Sequence, residues 1–192
     1  MCRTDDILAG FYVKDDGRVN PVDLTMAFAK GAKLHGVKIL EDVRASHVTS
    51  EYMLDRVNKR VTGVVLENGH VIKADHVVNC AGMWARQFGE KSGVNIPNQA
   101  AEHYYLVTDS MPDVDPNWPV IEDPSSYTYI RPEAGSMMIG LFEGEAAPWN
   151  VANIPNNFTF GEIEPDWERM APYVEKAMNR VPATTKVGVK KF

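Results

Sequence analysis

The run ADHVVNCAGMWA, residues 74–85, combines residue types and spacing that could serve a large ligand. Residues 75–79 read as a buried strand that passes into Cys80-Ala81-Gly82 and then into a helix starting near Trp84. A strand that ends in small residues lets backbone approach a planar or pyrophosphate-bearing group, because no side chain stands in the way. The pattern points to a nucleotide cofactor. Other chemistry-bearing residues are scattered. Arg131 has the planar fork that pairs with a carboxylate, but beside Pro132 at a strand end it is expected to be exposed or paired with a glutamate. Glu102, Glu143 and Glu145 make no pair of carboxylates in opposed environments and are expected to be ordinary surface charge. Cys80 is expected to be a small buried hydrophobe. With Cys2 it offers neither a disulfide framework nor metal-ligand spacing, so no metal site is predicted and a reducing compartment is the expected setting.

Periodicity and turn residues define the elements that hold these groups. Asp15-Asp16-Gly17 is a turn, and Asn20-Pro21 supplies an N-cap and a first helical residue. Val22, Thr25, Met26, Ala29 and Ala32 follow at helical spacing and predict a buried helix, up to Gly36, which suits a left-handed C-terminal position. Strands are predicted at 37–40, 45–50 and 61–67, the last turning through Asn68-Gly69 into Val71-Ile72, with EYMLDRVNKR as a polar hairpin tip or excursion. With the 75–79 strand these make an α/β layer, so residues 1–99 are predicted to be part of a doubly wound nucleotide-binding domain.

From residue 100 to residue 192 the pattern changes. Segments 101–109, 127–131 and 137–143 are β-rich, the last two joined by Glu133-Ala134-Gly135, and predict an antiparallel sheet. A long loop follows, with Pro148, Asn150, Asn153, Pro155, Asn156 and Asn157. A helix is predicted from near Pro165, with Asp166 and Glu168 at its positive end and Trp167, Met170, Val174, Met178 and Val181 on its apolar side. Pro172 must kink it or begin its second half. Residues 187–192 predict a further strand. The fold class is therefore α/β in the α+β sense, with an antiparallel β-rich companion domain.

An apolar fraction of 44 % with a charged quarter places the chain among soluble globular proteins. A net charge of −6 with no Lys/Arg cluster argues against nucleic acid as a partner. No apolar run approaches the roughly 18 residues of a membrane span. The opening MCRTDDILAG resembles neither a secretory signal nor a transit peptide.

Five blocks carry a resemblance. In order, GVKILEDVRASHV, VVNCAGMWA, EHYYLVT, YTYIRPEAGSMMIGLFE and DWERMAPYVEKAMNRVP resemble the middle of FAD-dependent amine oxidoreductases of the D-amino-acid-oxidase-like superfamily. The branch is that of sarcosine and dimethylglycine dehydrogenase, with the related regulatory subunit of pyruvate dehydrogenase phosphatase. The resemblance implies that an N-methyl group loses hydride to a flavin, leaving an iminium ion for water or a folate acceptor, with a possible electron-transfer partner. The redox chemistry is the cofactor's. The protein must hold the carbon over the ring, anchor the carboxylate of a small N-methylated amine substrate and keep its amine neutral.

The same resemblance implies residue roles. His103 matches a family histidine on the substrate side of the flavin, where an imidazole can donate to a carboxylate or take a proton from an ammonium. Tyr129 matches a tyrosine that faces the substrate. Strand alternation alone does not choose between Tyr129 and Tyr127, which is predicted on the same face. Tyr104 and Tyr105 are expected to pack, and His35, His47, His70 and His76 match no catalytic position and are expected at the surface or at helix ends. Ala81, Gly82 and Trp84 match the turn near the flavin and its ribityl chain. Ala45 matches a position whose backbone meets the adenine, where the family more often has valine.

No GxGxxG occurs in the chain. The resembled family places that unit upstream, and a last flavin-contacting segment downstream. A fragment is therefore expected, one that binds FAD weakly or not at all by itself, because the pyrophosphate loses its main backbone donors. The rival readings are a non-catalytic regulatory relative that binds a partner protein, and an inactive fragment. The implied location is the mitochondrial matrix in a eukaryote and the cytoplasm otherwise.

Overall fold

A computed structural model describes residues 2–155 and 157–192, so Asn156 of the expected loop lies outside the described residues. The chain divides into two compact units, Gly10–Asn98 on one hand and Met1–Ala9 with Gln99–Phe192 on the other.

In the unit Gly10–Asn98, helix α1 (Pro21–Leu34) starts where the Asn20 carboxamide oxygen accepts from the N–H groups of Val22 and Asp23, at 2.9 and 3.2 Å. Pro21 has no N–H, so two of the three remaining orphan donors of the first turn are thereby satisfied. The helix stops at His35, and Gly36 follows at φ +82°. Strands β1 (Ala45–Tyr52), β2 (Lys59–Leu66) and β3 (Val71–Lys73) form an antiparallel sheet in that order. The Asp55 carboxylate closes the β1–β2 tip by accepting from the N–H groups of Val57 and Asn58. Gly69, at φ +83°, provides the left-handed residue between β2 and β3.

At Gly63 in β2 the backbones come so close that a Cβ would lie 2.3 Å from the Ile72 carbonyl oxygen. Gly63→Ala must push β3 away and is expected to destabilise this unit by about 2 kcal/mol, read from its urea midpoint.

Three expectations for this unit are corrected. Segments 37–40 and 75–79 are not strands, because a strand exists only with a hydrogen-bonded neighbour and neither has a ladder partner among the described residues. None of the residues of α1 is buried, Met26 and Phe28 being 63 % and 71 % exposed, because its apolar side has no second layer to meet among the described residues. Cys80 is exposed, since the segment leading into it is not in a sheet.

The second unit is built on five antiparallel strands in the order β5-β6-β7-β4-β8. These are β4 (Tyr105–Thr108), β5 (Ile121–Asp123), β6 (Thr128–Glu133), β7 (Ser136–Leu141) and β8 (Val189–Lys191). Ala134 and Gly135, at φ +46° and +78°, make the two-residue turn between β6 and β7. That conformation matches the right-handed twist of the flanking strands.

Helix α3 (Trp167–Arg180) begins where the Asp166 carboxylate accepts from the Arg169 N–H at 3.1 Å, and it runs through Pro172 as one helix. Met170, Val174 and Ala177, with Val181 just beyond the helix, pack on Leu106, Ile130, Met137, Ile139 and Leu141 of the sheet. Each such large side chain contributes roughly 1.5–3 kcal/mol of transfer free energy. Within this unit the opposite face of the sheet is the more open one, with Tyr105 exposed and Val107, Tyr129, Arg131 and Met138 partly exposed. At the C-terminal end of α3, the buried Arg180 pairs with Asp123 and Asp6.

Candidate functional site

Alternation along the strands decides which side chains reach the open face. Tyr104, Leu106 and Thr108 are buried, so Tyr105 and Val107 point the other way. On β6, Thr128, Ile130 and Pro132 are buried, so Tyr129 and Arg131 face outward. Phe142, one residue past β7, stands between His103 and Tyr129. Its ring centroid is 5.5 Å from that of His103 and 5.4 Å from that of Tyr129. The two residues named for catalysis are thus brought to one face, with an aromatic ring between them.

Gly140 sets the pose of Tyr129. Tyr105, Gly140 and Tyr129 are directly opposite one another on β4, β7 and β6. A Cβ on Gly140 would lie 1.8 Å from Cε1 of Tyr129, so the phenol ring covers the β7 backbone. Burial pushes the Tyr129 phenol above its ordinary value, the Arg131 charge opposes this and Tyr105 adds to it. The hydroxyl therefore keeps its proton at neutral pH and can donate.

Tyr127 is corrected. It has φ +56° and ends the 3-10 turn Pro124–Ser126, so β6 starts one residue later and alternation does not extend back to it. Its ring packs edge-on against Tyr173 of α3, 5.9 Å between centroids. Tyr104 packs as expected, its hydroxyl bonded to Glu102 at 3.0 Å. Tyr105, expected to pack, is instead half-exposed on the open face beneath Lys191, whose Nζ is 5.9 Å from the ring centroid. Pairing with Glu162 raises the Lys191 ammonium above its ordinary value. A cavity of about 520 Å³ lies here, lined in part by Glu102, His103, Tyr105, Trp149, Phe158 and Lys191.

The carboxylates also depart from expectation. Arg131 pairs with Glu133, as expected. Glu102 and Glu143 are not free surface charges, because both are bonded to Arg169 of α3, at 2.7 and 2.8 Å. The Glu143 side chain is only 2 % exposed. No local signal marks it, since its partner lies 26 residues further along the chain.

The residues named for the cofactor lie in the other unit. Ala81 precedes the 3-10 turn Gly82–Trp84, which leads into helix α2 (Ala85–Lys91). The Asn79 carboxamide holds the turn, donating to the Ala85 carbonyl at 3.0 Å and accepting from the Ala81 N–H at 3.1 Å. Gly82 has φ +53°, and a Cβ added there meets nothing within 4 Å. Trp84 is 42 % exposed. Open backbone beside a half-exposed indole fits approach by a flat ring system. Ala45 opens β1 paired with Leu66, just before a register shift between Ala45 and His47. Of the other histidines, His35 caps α1, His70 and His76 are exposed, and His47 is partly buried beside Ser46. Among the described residues no group of three His, Cys, Asp or Glu side chains is placed to hold a metal ion.

Comparison with known proteins adds to this geometry. Residues 1–191 match the family described as DAO, FAD dependent oxidoreductase. The chain is 34 % identical to 4-methylaminobutanoate oxidase (formaldehyde-forming) of Paenarthrobacter nicotinovorans, over 97 % of the chain and 22 % of that protein. It is 30 % identical to mitochondrial sarcosine dehydrogenase of Homo sapiens, over 99 % of the chain and 20 % of that protein. With mitochondrial dimethylglycine dehydrogenase of Rattus norvegicus the identity is 33 %, over 98 % and 22 %. The chain thus spans about a fifth of the length of these relatives. L-proline dehydrogenase from P. horikoshii shares the fold, with a TM-score of 0.66 at 20 % identity over 89 % of this chain and 41 % of that one.

Proposed function

The chain belongs to the DAO family of FAD dependent oxidoreductases, and from that premise we propose that it serves oxidation of a small N-methylated amino acid of the sarcosine or dimethylglycine type. The observation that carries this reading is the meeting of His103 and Tyr129 on either side of Phe142 on the open sheet face. The relatives named for sarcosine, dimethylglycine and methylaminobutanoate support the same substrate class.

When bound, FAD supplies the acceptor for the hydride lost by the substrate methyl carbon. Every other task falls to the side chains. The His103 imidazole accepts the proton of the substrate ammonium, which frees the nitrogen lone pair. The Tyr129 hydroxyl, still protonated, donates to the substrate carboxylate. Phe142 supplies an apolar surface between them against which the reacting carbon can pack. Ala45, Ala81 and Gly82 would hold the cofactor through main-chain atoms, and Trp84 through its ring.

Because the sequence has no GxGxxG, the chain by itself is proposed to bind FAD weakly. A mitochondrial setting is part of the reading, supported by the names of the sarcosine and dimethylglycine dehydrogenases. Among the described residues no helix is long and apolar enough to cross a membrane.

The test uses the chain alone and the chain joined to its flanking coding sequence, each incubated with FAD. Sarcosine, dimethylglycine and 4-methylaminobutanoate are then mixed in without oxygen, and bleaching of the flavin absorbance is followed. The longer protein is expected to be yellow and to bleach. His103→Ala is expected to slow bleaching by about a hundredfold, and Tyr129→Phe by about tenfold. Unchanged rates would remove both residues from the site, and a yellow protein that no amine bleaches would point to the regulatory alternative.

A further inference from the structure

Neither His103 nor Phe142 lies in a strand. β4 begins at Tyr105 and β7 ends at Leu141, so the ladder that sets the spacing of those strands stops short of both rings. Main-chain bonds continue beyond it, from the Leu141 N–H to the Tyr104 carbonyl at 3.3 Å, from the Phe142 N–H to the Tyr127 carbonyl at 2.7 Å and, further out, from the Glu102 N–H to the Ala147 carbonyl at 2.9 Å. None of these involves the backbone of His103. What holds the His103 backbone next to that of Phe142 must come from their neighbours.

Those neighbours are Glu102 and Glu143, and a single guanidinium holds both. Arg169 Nη2 donates to Glu102 Oε2 at 2.7 Å and Nη1 donates to Glu143 Oε1 at 2.8 Å, while Nε donates to Asp166 Oδ2 at 3.1 Å. The planar fork fixes the distance between the groups that it binds. Tyr104 reinforces one arm, its hydroxyl bonded to the same Glu102 oxygen and its ring beneath the Arg169 guanidinium at 5.4 Å. Glu143 is the deeper arm. Its side chain is 2 % exposed, and its Oε2 has no hydrogen-bond partner among the described residues, so among these Arg169 is what compensates that carboxylate.

We propose that Arg169 is a positioning residue for the candidate site, clamping Glu102 and Glu143 from the core side so that His103 and Phe142 meet on the open face. The inference rests on the site reading above for its catalytic meaning, and on geometry alone for the clamp. Arg169 itself lies on α3, behind the sheet, and acts through the residues next to His103 and Phe142.

The test separates clamping from simple anchoring of α3. Arg169→Gln alone leaves a buried carboxylate without a partner and is expected to melt early. Combining it with Glu143→Gln removes that charge and is expected to restore the melting temperature without restoring the clamp. In the 192-residue chain, proton NMR reads the nuclear Overhauser contact between the His103 and Phe142 rings. The proposal expects this contact to fall about twofold or more in the double variant and to survive partly in Arg169→Lys, whose single ammonium reaches one carboxylate at a time. An undiminished contact in a folded double variant would overturn the clamp. Should that variant fail to fold, Arg169→Lys decides alone, and a wild-type contact there overturns it.

The amine-bleaching assay on the FAD-loaded longer protein, the chain joined to its flanking coding sequence, is the second arm, with a slowing of about tenfold expected as the ring shifts. Loss of the ring contact with unchanged bleaching would leave the clamp standing and sink the role of His103. The two ideas therefore fail separately.

Discussion

Arg180→Ala is expected to cost the unit built on the five-stranded sheet about 3 kcal/mol or more of unfolding free energy. The Arg180 residue is only 8 % exposed. Its Nε donates to Asp123 Oδ2 at 2.7 Å, and its Nη1 donates to Asp6 Oδ1 at 2.7 Å and to the Arg3 carbonyl at 2.6 Å. Removing the cation leaves the buried Asp123 carboxylate with only Ser126 as its side-chain partner. Asp6 is half-exposed, so water screens its share of the loss. Arg180→Lys keeps the charge but lacks the planar fork whose separate nitrogens reach Asp123 and Asp6, and should lose roughly half as much. A urea midpoint that falls at constant slope measures both variants.

The same site gives a pH dependence with a definite sign. Burial pushes the Asp123 carboxyl up, but its bonds to Ser126 and Arg180 outweigh this and hold it below the usual carboxylate value. Asp6 is also held low, chiefly by its bond to Arg180. A carboxyl with a lower value in the folded state takes up more protons on unfolding. Its stabilisation is complete above the unfolded value and drains away as pH falls through the folded one. Stability of the natural chain should therefore fall on acidification below about pH 4. The alanine variant has already lost this contribution and should show a shallower slope. Equal slopes would mean that the ion pair contributes nothing to acid stability.

Gly140→Ala is expected to be the most damaging single-atom change to the candidate site, slowing amine oxidation by about a hundredfold if the site reading holds. The new methyl group would sit 1.8 Å from Cε1 and 2.0 Å from Cζ of Tyr129, so the ring must swing off the strand. Tyr129 also packs on Phe142, and its departure would loosen the surface between the two polar groups. Stopped-flow bleaching of Gly140→Ala, with and without Tyr129→Phe, tests this. If the damage is displacement of the tyrosine, the second change adds little to the first. A Gly140→Ala protein that bleaches at the natural rate would show that the phenol need not lie over β7 during turnover.

Much of the local structure was legible in the sequence because its causes are local. Asn20-Pro21 and Asp166 mark helix starts because a cap needs only the next three residues. Asn68-Gly69 and Ala134-Gly135 mark hairpins because the turn conformation is set by the pair itself. Much of what failed depends on distant partners. Segments 37–40 and 75–79 have the composition of strands but find no ladder among the described residues. Tyr127 has the right spacing from Tyr129, yet a left-handed turn puts it outside the strand. β5, three residues long, has too little pattern to be read. Burial of Glu143 follows from an arginine on another element. His103 and Tyr129 stand out only through the family resemblance, because residue pattern by itself specifies no more than an α/β layer and a β-rich companion.

The tie between Arg180 and the opening residues joins positions 177 and 174 apart, at Arg3 and Asp6. Closing a loop of nearly the whole polypeptide forfeits more chain entropy than any hairpin in the molecule, although the cost grows only with the logarithm of length. Assembly therefore has a built-in chronology. Sheet and helix condense first from contacts nearer in sequence, and the N-terminal strap latches afterwards. By the same logic it is the first piece shed when the unit loosens, ahead of any global opening.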